Sequence, residues 1–123
     1  RMDDNRMCTT VRSRSFTIGE KAVAESKLWY VKHSPEIGPK FVEFYDACKE
    51  KGVLDQKTKK LLMVALACVN RCSHCTNQNI EAAFEAGASK EEVAEALLIA
   101  AVEGAGTQLY WAKEVYDKHL GGE

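Results

Sequence analysis

Residues that start and end helices recur along this chain of 123 residues, and almost no stretch alternates apolar with polar residues as a β-strand does. Short polar side chains at a helix start accept first-turn N–H groups, and glycine suits the left-handed turn that ends many helices. We therefore expect an all-α domain held together by helix-on-helix packing. The six predicted helices span about residues 17–33, 34–52, 55–69, 70–87, 89–103 and 107–123.

Individual residues set these boundaries. Ser34 is predicted to be an N-cap and Pro35 the first residue of the helix. Proline is tolerated there because the N–H that it lacks would have no partner within the helix. Asp55 is predicted to cap the third helix, and Ser89 with Glu92 forms a capping box for the fifth. The remaining signals are a capping box at Thr17 and Glu20 and helix ends at Gly52, Gly87, Gly104 and Gly106.

One domain accounts for the length and composition. Charged residues make up 28% and apolar residues 46% of the chain, as in ordinary globular proteins of a size that can bury a core. We predict a flexible arm at residues 1–16 and a single helical domain at residues 17–123. The net charge of -1 and the lack of basic clusters beyond Lys59 and Lys60 argue against nucleic acid as a partner.

The apolar segments are too short for a membrane-spanning protein. The longest is Leu61–Val69, about half of the roughly 20 residues that a spanning helix needs. The basic and polar residues 1–15 do not fit a secretory signal, and five cysteines without such a signal point to a reducing compartment. We therefore expect a cytoplasmic protein.

Two predicted helices have almost no polar face. They contain Leu61–Val69 and residues 90–103, and each is apolar around most of its circumference. Such helices are expected to be buried on all sides, which a six-helix monomer can hardly provide for both. We therefore predict a homo-oligomer in which helix 90–103 is partly buried between subunits. The alternative is a monomer with one of these helices at its centre.

Cysteine and histidine come together in residues 70–79, NRCSHCTNQN. Asn70 is predicted to be an N-cap, which puts Arg71 and Cys72 in the first turn of a helix. The helix dipole, the unpaired N–H groups and the neighbouring arginine all favour a thiolate over a thiol. The three-residue spacing puts Cys72 and Cys75 one turn apart on one face, where they can form a disulfide. His74 lies between them and can pass on a proton at neutral pH.

Other interpretations of the cysteine pair stay open at this point. Zinc usually takes four ligands, and no second ligand pair at a suitable spacing follows, so we predict neither a metal nor another cofactor. Cys72 and Cys75 could also be small buried side chains without chemical function. That role is the one we predict for Cys48 and Cys68, which lie in apolar stretches.

Residues 54–106, which include the motif Cys72-Ser73-His74-Cys75, resemble the carboxymuconolactone decarboxylase superfamily in its alkylhydroperoxidase D-like branch. The similarity extends upstream to about residue 35. Members are all-helical and assemble as trimers or hexamers. The resemblance implies a thiol peroxidase, in which Cys75 attacks a small hydroperoxide and the resulting sulfenic acid is resolved by Cys72. A dithiol reductant, either a protein or a small molecule, would then restore the pair.

Two positions depart from the proton relay of that branch. Its members carry a glutamate before the core helix and a histidine four residues after the second cysteine, where this chain has Lys60 and Asn79. Lysine, with an ordinary pKa of about 10.4, relays protons poorly at neutral pH, and asparagine cannot take up a proton. His74 is then the one ready base, which implies a slow peroxidase or another exchange reaction. The alternatives are a lactone decarboxylase of the superfamily and a non-catalytic redox sensor.

Overall fold

The structure is a computed structural model that describes residues 19–121. These residues form six α-helices and no strand, which confirms the all-α prediction. Their contacts divide the chain into two compact units, one ending at Gly52 and the other beginning at Val53. The predicted N-terminal arm and the cap at Thr17 lie outside the described residues. The helices are α1 (Glu20–Glu25), α2 (Trp29–His33), α3 (Gly38–Glu50), α4 (Gln56–Val69), α5 (Ser73–Glu85) and α6 (Lys90–Leu120).

The first unit begins with two short helices instead of one. The chain leaves α1 at Ser26, whose Oγ accepts the N–H of Leu28 at 3.1 Å before α2 begins. The prediction of one helix over residues 17–33 is therefore wrong. A serine hydroxyl that bonds the nearby backbone offers the chain an alternative to continuing the helix.

A turn leads from α2 into α3. The carbonyl of Ser34 accepts the N–H of Ile37 at 3.2 Å and that of Gly38 at 2.7 Å, and the helix begins only at Gly38. The predicted helix start at Ser34 and Pro35 is therefore wrong, because these residues form the turn itself. Gly38 packs closely on α2, since a Cβ at this position would collide with the backbone of Tyr30.

The second unit packs α4 against both α5 and α6. Its core consists of Val64, Ala83, Ala88 and Val93, with Leu61, Ile80 and Leu97 partly buried around them. Small side chains at these positions allow the three helices to approach closely. Because α4 contacts both partners, it fixes the position of the loop that leads from α4 into α5.

The predicted caps of α4 and α6 are confirmed. The carboxylate of Asp55 accepts the N–H of Thr58 at 2.7 Å at the start of α4. At the start of α6, Ser89 Oγ accepts the N–H of Glu92 at 3.1 Å, and the Glu92 carboxylate accepts the N–H of Ser89 at 2.8 Å. Glu92 also pairs with Lys57 at 2.9 Å, which joins the starts of α4 and α6.

Helix α6 runs without interruption through Gly104 and Gly106. The predicted break between two helices at these glycines is therefore wrong. Each helical glycine costs only about 1 kcal/mol relative to alanine, and no proline is present to remove a hydrogen bond. The 31 residues of α6 make a helix about 46 Å long.

In the single chain the two apolar helices are not buried on all sides, so one copy does not provide the burial that their composition predicts. In α4, Val64 is fully buried whereas Leu66 is 59% exposed, and in α6 Ala100 is buried whereas Leu98 is 69% exposed. One face of each helix packs in the core and the other faces outward. No helix among residues 19–121 is both long and apolar enough to cross a membrane.

Candidate functional site

Asn70 ends α4 rather than starting α5. Its N–H donates to the carbonyl of Leu66 at 3.0 Å, and its side-chain Nδ2 donates to the same carbonyl at 2.9 Å. The prediction that Asn70 is an N-cap is therefore wrong. Here its side-chain amide adds a second hydrogen bond to a carbonyl in the last turn of α4.

A Schellman motif turns the chain from α4 towards the cysteine pair. The N–H of Cys72 donates to the carbonyl of Ala67 at 3.0 Å, and the N–H of Arg71 donates to that of Cys68 at 3.0 Å. Arg71 takes the left-handed conformation with φ 58° and is the one non-glycine residue with positive φ among residues 19–121. Sequence reasoning missed this turn because glycine, its usual marker, is absent.

Cys72 occupies the N-cap position of α5. Its backbone is extended, and its Sγ accepts the N–H of Cys75 at 3.2 Å. Its carbonyl accepts the N–H of Thr76 at 2.9 Å and the Thr76 hydroxyl at 2.8 Å. A cysteine therefore does the work that an oxygen side chain does at the caps of α4 and α6.

Cys72 and Cys75 form a disulfide at the start of α5. Their sulfur atoms are bonded at 2.07 Å and their Cα atoms are 5.2 Å apart, as the three-residue spacing predicted. Both residues are half-buried, so the pair is neither sealed in the core nor fully open to solvent. The unpaired first-turn N–H groups and the helix dipole favour a negative charge here when the pair is reduced.

Arg71 and His74 are exposed residues beside the cysteines, Arg71 before Cys72 and His74 before Cys75. His74 lies in the first turn of α5 between the two cysteines, and both flanking side chains are exposed. Because both side chains are exposed, an incoming molecule can reach them. His74 is thus placed for proton transfer with solvent.

The two predicted relay positions lie in neighbouring helices, Lys60 in α4 and Asn79 in α5. Asn79 is half-buried, and its Nδ2 donates to the carbonyl of Met63 at 3.2 Å, which ties α5 to α4. Lys60 is buried in α4, with 9% of its surface exposed. Asn79 thus has a structural contact in addition to its position one turn after Cys75.

The other cysteines in the described chain differ in exposure. Cys68 is half-buried and Cys48 is exposed, so the prediction that Cys48 belongs to the core is wrong. Cys48 lies in α3, whose aromatic residues are also largely exposed in the single chain. Among residues 19–121, no cluster of three or more histidine, cysteine or acidic residues could hold a metal ion.

The chain belongs to the carboxymuconolactone decarboxylase family, whose model matches residues 35–118. This family includes alkylhydroperoxidase D-like proteins. The match contains α3, α4, α5 and most of α6, and therefore the whole cysteine site.

The known proteins that resemble the chain include the following two. One, from Paracoccus denitrificans, is described as "Uncharacterized protein 4 in cox locus" and is 40% identical over 55 residues, which is 45% of this chain and 50% of that protein. The chain thus spans about half the length of this curated relative. The other is a crystal structure of a protein from Methanobacterium thermoautotrophicum, with 34% identity and a TM-score of 0.65. That similarity covers 69% of this chain and 96% of the other.

Proposed function

We propose that the protein is a thiol-dependent peroxidase that reduces small hydroperoxides with the Cys72–Cys75 pair. The observation that carries the proposal is the half-buried disulfide at the start of α5, in which the Cys72 sulfur accepts a hydrogen bond from the N–H of Cys75. Membership of a family that includes alkylhydroperoxidase D-like proteins supports it.

The oxidative half of the reaction uses both thiols. The Cys75 thiolate attacks the terminal oxygen of the hydroperoxide, the O–O bond breaks, and the alkoxide takes a proton to leave as an alcohol. The Cys72 thiolate then attacks the sulfur of the Cys75 sulfenic acid, and hydroxide leaves as water after taking a proton. Two thiols and one hydroperoxide thus give one disulfide, one alcohol and one water.

The reductive half requires an external dithiol. A thiolate of the reductant attacks the Cys75 sulfur, and Cys72 leaves as a thiolate. The hydrogen bond from the Cys75 N–H to the Cys72 sulfur favours this direction, since it stabilises a negative charge on Cys72. The second thiol of the reductant then releases the reduced protein and leaves as a disulfide.

Proton transfer falls to His74 in this proposal. The chain has lysine and asparagine at the positions of the family's glutamate and histidine, so the alkoxide and hydroxide need another acid. His74 is exposed in the first turn of α5 and exchanges protons with solvent. We therefore expect slow turnover.

Peroxide consumption with dithiothreitol as the reductant tests the function. Cys75→Ser should abolish consumption of cumene hydroperoxide, while Cys68→Ser should leave it unchanged as a matched control. Equal rates for the wild type and Cys75→Ser would refute the proposal. Formation of the disulfide with one equivalent of peroxide, but without turnover by the reductant, would instead favour a redox sensor.

We also propose that the active form is a homo-oligomer, with a trimer or hexamer as the expected state. Trp111 lies 18 residues, or five helical turns, after Val93 of the core, so it continues the same face of α6. Val93 is buried, whereas Trp111 is 78% exposed in the single chain. The exposed apolar part of this face is suited to pack against the same part of a second copy.

A further inference from the structure

A groove of about 610 Å³ lies between the end of α4 and the middle of α6. Its walls are mainly aliphatic and small, with Val69, Leu97 and Leu109 as the larger side chains. Among the described residues that line it, Arg71 is the one charged residue and Gln108 carries the one side-chain amide. The groove therefore joins an apolar surface to a single positive charge.

Arg71 occupies a backbone position that glycine would fill with less strain. The end of α5 has the same Schellman motif, in which the N–H of Gly87 donates to Phe84 and that of Ala88 donates to Ala83, each to the carbonyl. Gly87 is left-handed with φ 95°, as Arg71 is with φ 58°. A side chain in this conformation is disfavoured relative to glycine. The chain thus has a cationic residue with a strained backbone at the groove, directly before Cys72. Backbone strain of this kind is concentrated at functional sites.

We propose that this groove binds an amphipathic anion, with its carboxylate on Arg71 and its hydrocarbon chain along the apolar wall. Guanidinium groups hold carboxylates through paired, charge-assisted hydrogen bonds, and the apolar wall removes the chain from water. Arg71 directly precedes Cys72, so the proposed carboxylate contact is made by the residue that adjoins the disulfide in the chain. Resting on the proposed peroxidase function, the inference names its substrate class as alkyl hydroperoxides that carry a carboxylate.

Binding of laurate tests the groove without involving peroxide chemistry. Isothermal titration calorimetry on the oxidised protein would compare laurate with dodecanol, which has the same chain but no charge. The wild type should bind laurate about tenfold or more tightly than dodecanol, as expected for hydrogen bonds to a charged group. Arg71→Gly should lose that preference, and Arg71→Lys should keep part of it.

Further variants separate a binding effect from a folding defect. Arg71→Gly should melt at or above the wild-type temperature, because glycine suits the left-handed backbone. Lys90→Gln removes a cation that does not line the groove and should bind laurate as the wild type does. Ala105→Trp places a bulky ring in the groove wall and should weaken the binding of both ligands.

The results distinguish this inference from the peroxidase proposal. A preference for laurate that depends on Arg71 supports the anion site even if no hydroperoxide is turned over. Absence of laurate binding, equal binding of laurate and dodecanol, or unchanged laurate binding by Arg71→Gly would overturn the inference. Each of those results would leave the chemistry of Cys72 and Cys75 intact.

Discussion

At the level of single residues, the site depends on what stands at two neighbouring positions. Arg71 makes the left-handed turn that ends α4, and Cys72 caps α5 with its sulfur. A left-handed residue that ends a helix is usually glycine, and an N-cap is usually an oxygen-bearing side chain. Both departures from the usual residue place chemical groups, a cation and a sulfur, at the same surface. Departures of this kind from local sequence rules are expected at functional or strained sites.

Arg71→Gly is predicted to stabilise the protein. Relief of the left-handed strain exceeds the added flexibility of the unfolded chain, for a net gain of about 0.5–1 kcal/mol. Gly87→Ala is the matched control and should lose stability, because a Cβ there has space but φ is 95°. Urea unfolding measures both. A less stable Arg71→Gly would show that the arginine side chain itself supports the fold.

Asn79→His is predicted to increase the rate of peroxide reduction. A histidine one turn after Cys75 would restore a group that can pass a proton, and we expect a gain of roughly 10-fold to 100-fold, since general acid–base catalysis contributes 10²–10⁴-fold when complete. Asn77→His is the control, because it adds an imidazole to an exposed position two residues earlier in α5. Equal rates in the two variants would show that the missing relay does not limit turnover.

At the level of helices, side-chain caps fix where α4 and α6 begin. Three carboxylate or hydroxyl contacts, at Asp55, Ser89 and Glu92, satisfy N–H groups at the starts of these helices. The hydrogen bond from the Ser89 N–H and the pair with Lys57 lower the pKa of Glu92 below its ordinary value. A carboxyl with a lowered pKa stabilises the fold above its ordinary pKa. That contribution is lost as the pH falls through the lowered value.

The stability of the Glu92→Gln variant is therefore predicted to depend less on pH in the acid range than that of the wild type. The melting temperature of the variant should lie below that of the wild type at pH 7, and the difference should shrink as the pH falls below about 4.5. Glu91→Gln, at an exposed neighbouring position, should follow the wild-type curve in shape. A constant difference from pH 7 to pH 3 would show that the Glu92 charge does not contribute.

Helix starts are predicted correctly only where a side chain caps the backbone, whereas helix ends such as Val69 are mostly predicted correctly. Asp55 and Ser89 were identified because their side chains bond backbone groups three residues away, which is a local signal. Asn70 was assigned to the wrong helix, since its short polar side chain can bond backbone groups at either end. The break expected at Gly104 is absent, because the cost of one glycine is small compared with a continuous hydrogen-bonded helix.

The candidate site was predicted in part for a similar reason. The spacing of Cys72 and Cys75 fixes their distance once a helix is assumed, so the disulfide followed from the sequence. The left-handed Arg71 and the contact of Asn79 with Met63 depend on where α4 ends and how α5 packs on it. Such contacts between distant residues have no marker in a single sequence.

At the level of the whole molecule, α6 extends beyond the helices that cover its first half. Val93, Ala96 and Ala100 are buried, whereas every residue from Thr107 to Leu120 is exposed in the single chain. The exposed part includes Tyr110 and Trp111. A helix with this much apolar surface is stable in water when another surface covers it. Self-association would therefore complete the fold.

Sedimentation velocity tests the proposed assembly. The wild type should sediment as a trimer or hexamer of the 13.7 kDa chain, and Trp111→Glu should shift it to smaller species because a charge would lie in the interface. Glu114→Gln, an exposed polar position in the same turn, serves as the control. A wild type that stays monomeric at all concentrations would contradict the proposal.

A single turnover of the reduced protein without any reductant tests most directly whether Cys72 and Cys75 reduce a hydroperoxide together. One equivalent of cumene hydroperoxide is added to the thiol form, and the alcohol and the protein disulfides are measured together by mass spectrometry. The proposed reaction yields one alcohol and one Cys72–Cys75 disulfide per hydroperoxide consumed, with the sulfenic acid trapped on Cys75 in the Cys72→Ser variant. A pair that stays reduced while hydroperoxide persists would contradict it.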